Sequence, residues 1–351
     1  MTTLAYAAEG ADLSLAPVNI ERRIPRPDDV VIEIQYCGVC HTDLHIARNH
    51  AGHTSYPVIP GHEIIGRVAW VGCDVQNFRE GDTVGVGCMV DSCGHCDPCE
   101  HGQEQHCQHG AVYTYNSTDK HDHSKTYGGY AQEIVVSERF VLRIPEGLDP
   151  AAAAPLLCAG ITTWEPLRQW NVSPRSKVGV VGLGGLGHMA IKLAKALGAE
   201  VTLLTRSAGK EGDARRLGAD HVVLTTSAEQ MQALAGSLDV IIDTVPYEHD
   251  VNPYLPTLRF NGAHVLVGYM GPLNTPVAAG ALVFGRKALA GSFIGGIAAT
   301  QQMLDFCALH NITSDIELIE MAYINHAFDR LLASDVKYRF VIDMATLHAA
   351  T

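Results

Sequence analysis

The feature that most constrains the fold is a glycine-rich turn between a short apolar strand and an amphipathic helix. Residues 176–207 read SKVGVVGLGGLGHMAIKLAKALGAEVTLLTRS. The valines at the start predict a buried strand, and a second strand is predicted at 201–204. Between them, apolar residues recur at i, i+3, i+4 and i+7, namely Ala190, Leu193, Ala194 and Leu197. The stretch therefore predicts a β-α-β unit whose helix packs on a parallel sheet.

This context gives the glycine motif a chemical meaning. Glycines between a strand and a helix permit a tight turn and the close approach of a pyrophosphate, whose charge the helix N-terminus stabilises. A dinucleotide-binding site is therefore predicted, and the residues expected to contact the cofactor are Gly182, Gly184, Gly185, Leu186 and Gly187. The alternative is an ordinary glycine-rich turn of an α/β fold, which needs no ligand.

The rest of the chain divides around this unit. Further strands are predicted at 220–224, 238–245, 263–271 and 288–296, and the helical stretches between them favour a mostly parallel sheet. A Rossmann dinucleotide-binding domain is therefore predicted for residues 151–292. Residues 1–150 are typical of many short strands, and 338–344 is an alternating strand that could return to them. A second, mostly β domain is thus predicted from 1–150 and 293–351, in an α/β fold overall.

The end of the second Rossmann strand predicts the cofactor. NAD-specific domains usually carry Asp or Glu there, to hold the ribose 2′-hydroxyl. Here the position is occupied by Thr205, Arg206 and Ser207, while Glu200 stands at the strand's beginning. Hydroxyls and a guanidinium can bind a 2′-phosphate, with Lys210 as a further cation. NADP(H) is therefore predicted, and the alternative is that these cations are only solvated surface charges.

Four cysteines stand within fifteen residues of one another, in CGHCDPCEHGQEQHC. A disulfide knot, a redox switch and a metal site are all possible for Cys93, Cys96, Cys99 and Cys107. Four thiolates can close a tetrahedron around zinc and leave no open position, so the interpretation is a structural zinc. A nucleic-acid-binding zinc ribbon is disfavoured, because residues 93–109 contain acidic residues and no Lys or Arg.

A second set of metal-competent residues is scattered along the chain: Cys40, His62 with Glu63, and Cys158. Ligands far apart in sequence are usual for a catalytic zinc, where three protein ligands leave one position for water or substrate. Taken singly, each is more often a loop or core residue, and Cys158 in an apolar stretch resembles a small buried hydrophobe.

Composition and charge restrict the partners and the compartment. The chain has 351 residues, 47% hydrophobic, and a net charge of −13, which argues against nucleic acid or an anionic membrane as a partner. No signal peptide and no apolar run long enough to span a bilayer are recognised. A cytoplasmic location is predicted, where thiols are normally reduced and clustered cysteines indicate metal or catalysis.

The order of these motifs resembles the zinc-dependent medium-chain dehydrogenases. GVCHTDLH (38–45) and GHEIIG (61–66) precede the four cysteines, and LLCAGITTW (156–164) and GLGGLG (182–187) follow them. TYNS (114–117), GGYAQEIVV (128–136) and DVKYRFVID (335–343) are similar to the cinnamyl alcohol dehydrogenase group, above all to bacterial NADPH-dependent aldehyde reductases. The resemblance implies a GroES-like catalytic domain beside the Rossmann domain.

The resemblance also implies a role for each residue. Cys93, Cys96, Cys99 and Cys107 would hold a structural zinc, and Cys40, His62 and Cys158 a catalytic zinc, giving two per chain. Glu63 would be a fourth, exchangeable ligand or a close neighbour of the metal. Asp43 would orient the ligand histidine, Thr42 would contact the substrate oxygen, His45 would pass a proton toward solvent, and Thr162 would lie near the nicotinamide. A homodimer would form through the last Rossmann strand, 288–296.

The function predicted from the sequence is that of a zinc-dependent NADP(H) alcohol dehydrogenase or aldehyde reductase acting on a small molecule. Between His45 and Tyr56 no bulky aromatic residue is present to clamp a phenylpropenyl ring, which favours a broad specificity. A polyol dehydrogenase of the same superfamily is one alternative. A non-catalytic NADP-binding protein is another, although no ligand position has been replaced.

Overall fold

The computed structural model describes residues 2–348, which separate into two compact units. The first unit combines Met1–Cys158 with Gly295–Thr351, and the second is Ala159–Ile294. The second unit is therefore inserted into the first along the chain.

The elements follow in three segments. Up to Ala153 they are β1 Thr2–Ala7, β2 Ala16–Glu21, β3 Asp29–Val39, α1 His41–Ala47, β4 Ile64–Val71, β5 Thr83–Val86, β6 Met89–Asp91, α2 Asp97–Glu100, β7 Val112–Tyr113, β8 Glu133–Ser137, β9 Leu142–Arg143 and α3 Pro150–Ala153. The inserted unit contains α4 Ala159–Gln169, β10 Lys177–Val181, α5 Gly187–Ala196, β11 Glu200–Thr205, α6 Glu211–Leu217, β12 His221–Leu224, α7 Ala228–Ala233, β13 Leu238–Asp243, β14 Leu258–Leu266, α8 Ala279–Val283 and β15 Ala288–Gly291. The last segment contains α9 Ile297–His310, β16 Ile316–Glu320, α10 Ile324–Leu332 and β17 Arg339–Asp343.

The first unit is organised around a seven-stranded sheet. Its strand order is β16-β17-β3-β4-β5-β9, and β8 also pairs with β3. Strand β17 runs antiparallel to β3, with Phe340 opposite Val39 and Asp343 opposite Tyr36. This pairing joins the last segment of the chain to the sheet of the first segment. It also places the beginning of β17 beside the end of β3, after which α1 begins.

The second unit contains a six-stranded sheet in the order β12-β11-β10-β13-β14-β15. All five pairings are parallel, so the parallel sheet predicted from the sequence is confirmed. The predicted bounds of two strands were clearly wrong: 288–296 was expected where β15 runs from Ala288 to Gly291, and 263–271 was expected where β14 runs from Leu258 to Leu266. It ends there because the backbone N–H groups of Val267 and Gly268 both turn to the carbonyl oxygen of Asp243.

The glycine-rich turn lies between β10 and α5, as predicted. A Cβ atom at Gly187 would lie 2.2 Å from the carbonyl oxygen of Gly182, so no side chain fits at that position. Ala190, Leu193 and Ala194 are buried on the inner face of α5. Leu197, expected on the same stripe, caps the helix and is only half-buried, because the helix ends one residue before it.

No helix within residues 2–348 is long and apolar enough to cross a membrane.

Candidate active site and metal sites

Strands β3 and β4 bring the first predicted ligands together. Cys37 pairs with Ile64, and the N–H of Gly38 donates to the carbonyl oxygen of Glu63 at 2.9 Å. The antiparallel register therefore sets the residues that follow β3 beside those that precede β4, where Cys40 and His62 lie. Gly38 leaves room for the Glu63 carboxylate, since a Cβ there would come within 1.9 Å of its Oε2.

Cys158 completes this cluster from the end of the first unit's long N-terminal segment. Its Sγ lies 3.9 Å from Cys40 Sγ and 3.2 Å from His62 Nε2. Two thiolates bound to one zinc at 2.3 Å in tetrahedral geometry stand about 3.8 Å apart, so the sulfur spacing fits a shared metal. The possible ligand atoms of Cys40, His62, Glu63 and Cys158 all lie within 4.8 Å of one another, and all four residues are buried.

Asp43 holds the imidazole of this cluster. It is completely buried on α1, and its Oδ1 lies 3.1 Å from His62 Nδ1. The N–H of Gly61 donates to the same oxygen, while the N–H of Cys40 and the Tyr130 hydroxyl donate to Oδ2. An Nδ1–H held by a carboxylate fixes the tautomer in which Nε2 is free to bind a metal. Sequence reasoning assigned this role to Asp43 but missed Tyr130.

Glu63 has a partner that sequence reasoning also missed. Its Oε1 lies 2.8 Å from Nη2 of Arg339, a buried residue of β17. The two groups are close enough for an ion pair, but neither carboxylate oxygen of Glu63 makes a hydrogen bond within residues 2–348. Burial raises the pKa of Glu63 to about 8, against the opposing charge of Arg339. The available signal was an arginine that begins the strand RFVID, directly before three apolar residues.

The protonation of the cluster follows from its contacts. A hydrogen bond from Cys158 lowers the pKa of the Cys40 thiol well below its usual range. Burial alone would lower the pKa of His62, but the nearby Asp43 carboxylate overrides it and raises that pKa well above its usual value. The same hydrogen bond between Cys158 and Cys40 raises the pKa of the Cys158 thiol well above its usual value, so only Cys40 favours the thiolate, which is the form that binds metal.

The two residues predicted to handle the substrate oxygen and its proton lie on α1, three positions apart. Thr42 Oγ1 is 3.7 Å from Cys40 Sγ, at the edge of the cluster. His45 Nδ1 lies 2.8 Å from Nδ1 of His50, an exposed residue. Burial, followed by the charges of His50 and His41, lowers the pKa of His45. The contact with His50 depends on the turn after α1 and could not be anticipated from the sequence.

The four cysteines of residues 93–107 form a second cluster, which we call the cysteine lobe. Sγ distances are 3.9 Å between Cys93 and Cys99 and 4.0 Å between Cys96 and Cys107, again close to the spacing around a zinc ion. Backbone N–H groups of Cys93 and Gln108 donate to sulfur at 3.4 Å. The buried core of the lobe consists of cysteines, with Ala111 packed against them, so little apolar packing is available to order it.

Hydrogen bonding and burial shift the pKa values of two thiols of the lobe in opposite directions. The backbone N–H of His95 is the main cause that lowers the pKa of Cys93 to about 5, and the His109 side chain adds to it. Burial raises the pKa of Cys99 to about 11.

The predicted cofactor residues of the second unit cluster at the carboxyl ends of β10 and β11. Lys210 Nζ donates to the carbonyl oxygen of Leu183, in the glycine-rich turn, at 2.8 Å. Arg206 and Ser207 are exposed, whereas Thr205 is buried and its hydroxyl accepts from the N–H of Ser207. Glu200 begins β11 and accepts from His221, so its carboxylate lies at the strand's other end.

Thr162 and Asp243 are two further buried polar residues of the second unit. Thr162 is buried in the first turns of α4, the helix that follows Cys158. Asp243, at the end of β13, is a buried carboxylate whose Oδ2 lies 2.8 Å from both His249 Nε2 and His264 Nε2.

Family models match both parts of the chain. Residues 26–146 match the alcohol dehydrogenase GroES-like domain, and residues 185–308 match the zinc-binding dehydrogenase domain. The chain is also 51% identical to aldehyde reductase YahK of Escherichia coli (strain K12) over 348 residues, which cover 99% of both proteins. The chain belongs to the zinc-binding alcohol dehydrogenase family.

Other members resemble this dehydrogenase along nearly its whole length. The mannitol dehydrogenase of Petroselinum crispum is 52% identical over 334 residues, 94% of this chain and 98% of the relative. The crystal structure of CAD from Helicobacter pylori, complexed with NADP(H), superposes with a TM-score of 0.90 at 38% identity and covers 99% of both chains. The family and the fold class predicted from the sequence, a GroES-like domain with a Rossmann domain, are thereby confirmed.

Proposed function

We propose that this chain is a zinc-dependent NADP(H) alcohol dehydrogenase that reduces aldehydes of broad structure and oxidises the corresponding primary alcohols. The observation that carries the proposal is the buried convergence of Cys40, His62 and Cys158, with His62 oriented by Asp43. Relatives named aldehyde reductase and mannitol dehydrogenase support the reaction class. On this proposal the first unit is the catalytic domain and the second is the dinucleotide-binding domain.

The two clusters have the donors that zinc prefers, so we propose two zinc ions per chain. In the first cluster, Cys40, His62 and Cys158 would hold the catalytic ion, and the Glu63 carboxylate, buried and poorly hydrogen-bonded, is available as an exchangeable fourth donor. In the cysteine lobe, four thiols would hold the structural ion. Bound zinc supplies a Lewis acid that polarises a carbonyl oxygen, and bound NADPH supplies the hydride.

The chain's own residues position the reactants and move the proton. Asp43 keeps Nε2 of His62 directed at the metal position, and Arg339 holds the Glu63 carboxylate. The Thr42 hydroxyl, beside Cys40, would donate a proton to the substrate oxygen as hydride reaches the carbonyl carbon. That hydroxyl would be reprotonated through His45, which faces the same side of α1, and then through the exposed His50.

Preference for NADP(H) rests on the carboxyl end of β11. Arg206 is exposed there and Lys210 reaches the glycine-rich turn, while the carboxylate of Glu200 lies at the far end of the strand. A 2′-phosphate would therefore meet two cations and the hydroxyl of Ser207. The related CAD structure, complexed with NADP(H), supports this assignment.

The proposed function predicts aldehyde reduction with NADPH in preference to NADH. We expect kcat/KM for one good aldehyde to be roughly tenfold or more higher with NADPH, because only NADPH carries the phosphate that Arg206 can pair with. A panel of aliphatic, aromatic and terpenoid aldehydes, run beside mannitol and other polyols with NADP⁺, measures this directly. Turnover of polyols alone would establish the polyol dehydrogenase alternative instead.

Substitution of Arg206 tests whether this residue causes the preference for NADPH over NADH. Arg206→Ala should lower kcat/KM with NADPH by roughly tenfold and leave the value with NADH nearly unchanged. The control is Arg259→Ala, since Arg259 pairs with Asp239 near the opposite edge of the sheet and should alter neither cofactor. Equal loss with both cofactors would argue against a phosphate-binding role.

We also propose a homodimer formed through β15. This strand is the edge of the six-stranded sheet, and exposed apolar residues lie nearby: Phe284 is 94% exposed and Val283 is 70% exposed. An unpaired apolar edge would be an aggregation hazard if left exposed, and pairing with a second copy of the chain would remove it.

Light scattering should give twice the chain mass of 37.7 kDa. Val283→Glu combined with Phe284→Glu should shift the protein toward monomer, because two charges would then be buried at the interface. Leu309→Glu, at an equally exposed apolar residue of α9, should leave the mass unchanged. A monomeric native protein would contradict the proposal.

The proposed cellular location is the cytoplasm. All ten cysteines are free thiols, as metal ligands require, and reducing compartments preserve that state.

A further inference from the structure

Two exposed histidines flank the cysteine lobe and have no role in the proposed reaction. His95 lies between Cys93 and Cys96 in the chain, and His109 follows Cys107 by two residues. The possible ligand atoms of Cys93, His95 and His109 lie within 4.8 Å of one another. The centroids of the two imidazole rings are 5.3 Å apart, and the ring planes are tilted by 38°. The three residues form one edge of the lobe, and Cys93 is the least buried of its four cysteines.

The geometry points to a third metal position at this edge, formed by His95, His109 and the outward side of the Cys93 sulfur, which would bind a borderline divalent cation such as Zn²⁺. This inference rests on the proposed structural zinc, with which the Cys93 thiolate would be shared. A thiolate has more than one lone pair and can bridge two metal ions. Imidazole nitrogen and thiolate sulfur are the donors that zinc prefers.

The hydrogen bonding of His95 supports a ligand role. Its Nδ1 lies 2.7 Å from the carbonyl oxygen of Cys93, so the N–H at this nitrogen is held by the backbone. The other ring nitrogen is then left with a free lone pair, an arrangement that accompanies most metal-binding histidines. The possible ligand atom of His109 lies within 4.8 Å of the Cys93 sulfur, close enough for one metal ion to bind both.

The local charge sets the strength of binding. A zinc ion held by four thiolates has a net formal charge of about −2, which attracts a second cation. Two cations offset this charge in part: Lys120 Nζ lies 3.9 Å from Cys107 Sγ, and the Arg139 guanidinium packs against Gly94. With three protein donors, one of them shared, we expect a dissociation constant in the micromolar range, far weaker than that of the four-cysteine site.

Titration of the holoenzyme tests the inference. The starting protein is dialysed and shown by metal analysis to retain two zinc ions per chain, and it is then titrated with Zn²⁺ and, separately, with Co²⁺. A third equivalent should bind below about 100 μM. Cobalt at this position should produce thiolate-to-metal charge-transfer absorption, since Cys93 is a donor. Cys93 itself is not substituted, because it is a proposed ligand of the structural zinc.

Histidine variants test whether His95 and His109 are the ligands of the third metal ion. His95→Gln and His109→Gln should each weaken binding of the third equivalent roughly tenfold or more, while the two original zinc ions remain. His101→Gln is the matched control, since His101 is an exposed histidine of the same lobe whose Nδ1 also contacts a backbone carbonyl.

The outcomes separate this inference from the proposed function. If the protein holds two zinc ions and binds no third equivalent, the inference is overturned and the proposed function is not. The same holds if His95→Gln and His109→Gln both still bind the third equivalent, or if His101→Gln weakens its binding as much as they do. Cobalt binding without the charge-transfer band overturns the role of Cys93. A starting protein whose single zinc ion is retained in Cys96→Ala overturns both the structural zinc and the position that depends on it.

Discussion

Cys158→Ala should abolish alcohol and aldehyde turnover while leaving a folded protein that carries about one zinc ion per chain. The substitution removes the sulfur that lies 3.9 Å from Cys40 Sγ and 3.2 Å from His62 Nε2. Two protein donors and a carboxylate already paired with Arg339 would hold zinc poorly. Since the metal supplies several kcal/mol of transition-state stabilisation, kcat/KM should fall roughly thousandfold or more.

The fold should survive because the cluster is embedded in an intact sheet. Strands β3, β4 and β17 pair independently of the Cys158 side chain. The matched control is Cys307→Ala, which removes an equally buried thiol from α9 of the same unit. That variant should keep two zinc ions and most of the activity. Full activity in Cys158→Ala, or two zinc ions in its metal analysis, would exclude Cys158 as a ligand.

Motif order carried most of the prediction of the site. The four donors of the cysteine lobe were proposed from their spacing, whereas Cys40, His62 and Cys158 were proposed from the resemblance to a known family. The structure brings each set within 4.8 Å. The parallel sheet was equally accessible, since strand and helix periods differ clearly around GLGGLG. The glycine-rich unit and the cysteine lobe are local patterns, each complete within about thirty residues of sequence, whereas Cys40 and Cys158 lie 118 positions apart.

The residues that were missed depend on contacts between distant segments. Arg339 contacts Glu63 only because β17 pairs with β3, and no sequence pattern near either residue predicts the register of that pairing. Tyr130 reaches Asp43 across 87 positions of the chain. The same reasoning explains the error in β14, whose end is set by a carbonyl oxygen of the neighbouring strand rather than by its own residues.

Loss of a ligand from the cysteine lobe should reduce the stability of the protein rather than its activity, in contrast to loss of a ligand from the first cluster. Cys96→Ala should lower soluble yield and thermal stability, because the lobe's buried core consists largely of thiols and its order would come from the metal. Structural zinc sites contribute free energy comparable to the stability of a whole domain. Loss of roughly 4 kcal/mol would lower the melting temperature by about 10 °C for a unit of this size.

The Cys96→Ala protein that remains soluble shows whether the cysteine lobe takes part in catalysis. The Cys40, His62 and Cys158 cluster does not include Cys96, so soluble Cys96→Ala protein should retain about one zinc ion and a substantial specific activity. Differential scanning fluorimetry and metal analysis, with Cys307→Ala again as the control, measure both properties. A variant that is inactive but as stable as the native protein would mean that the lobe takes part in catalysis. Loss of stability with retained turnover would identify its zinc as a structural element, separate from the ion that binds substrate.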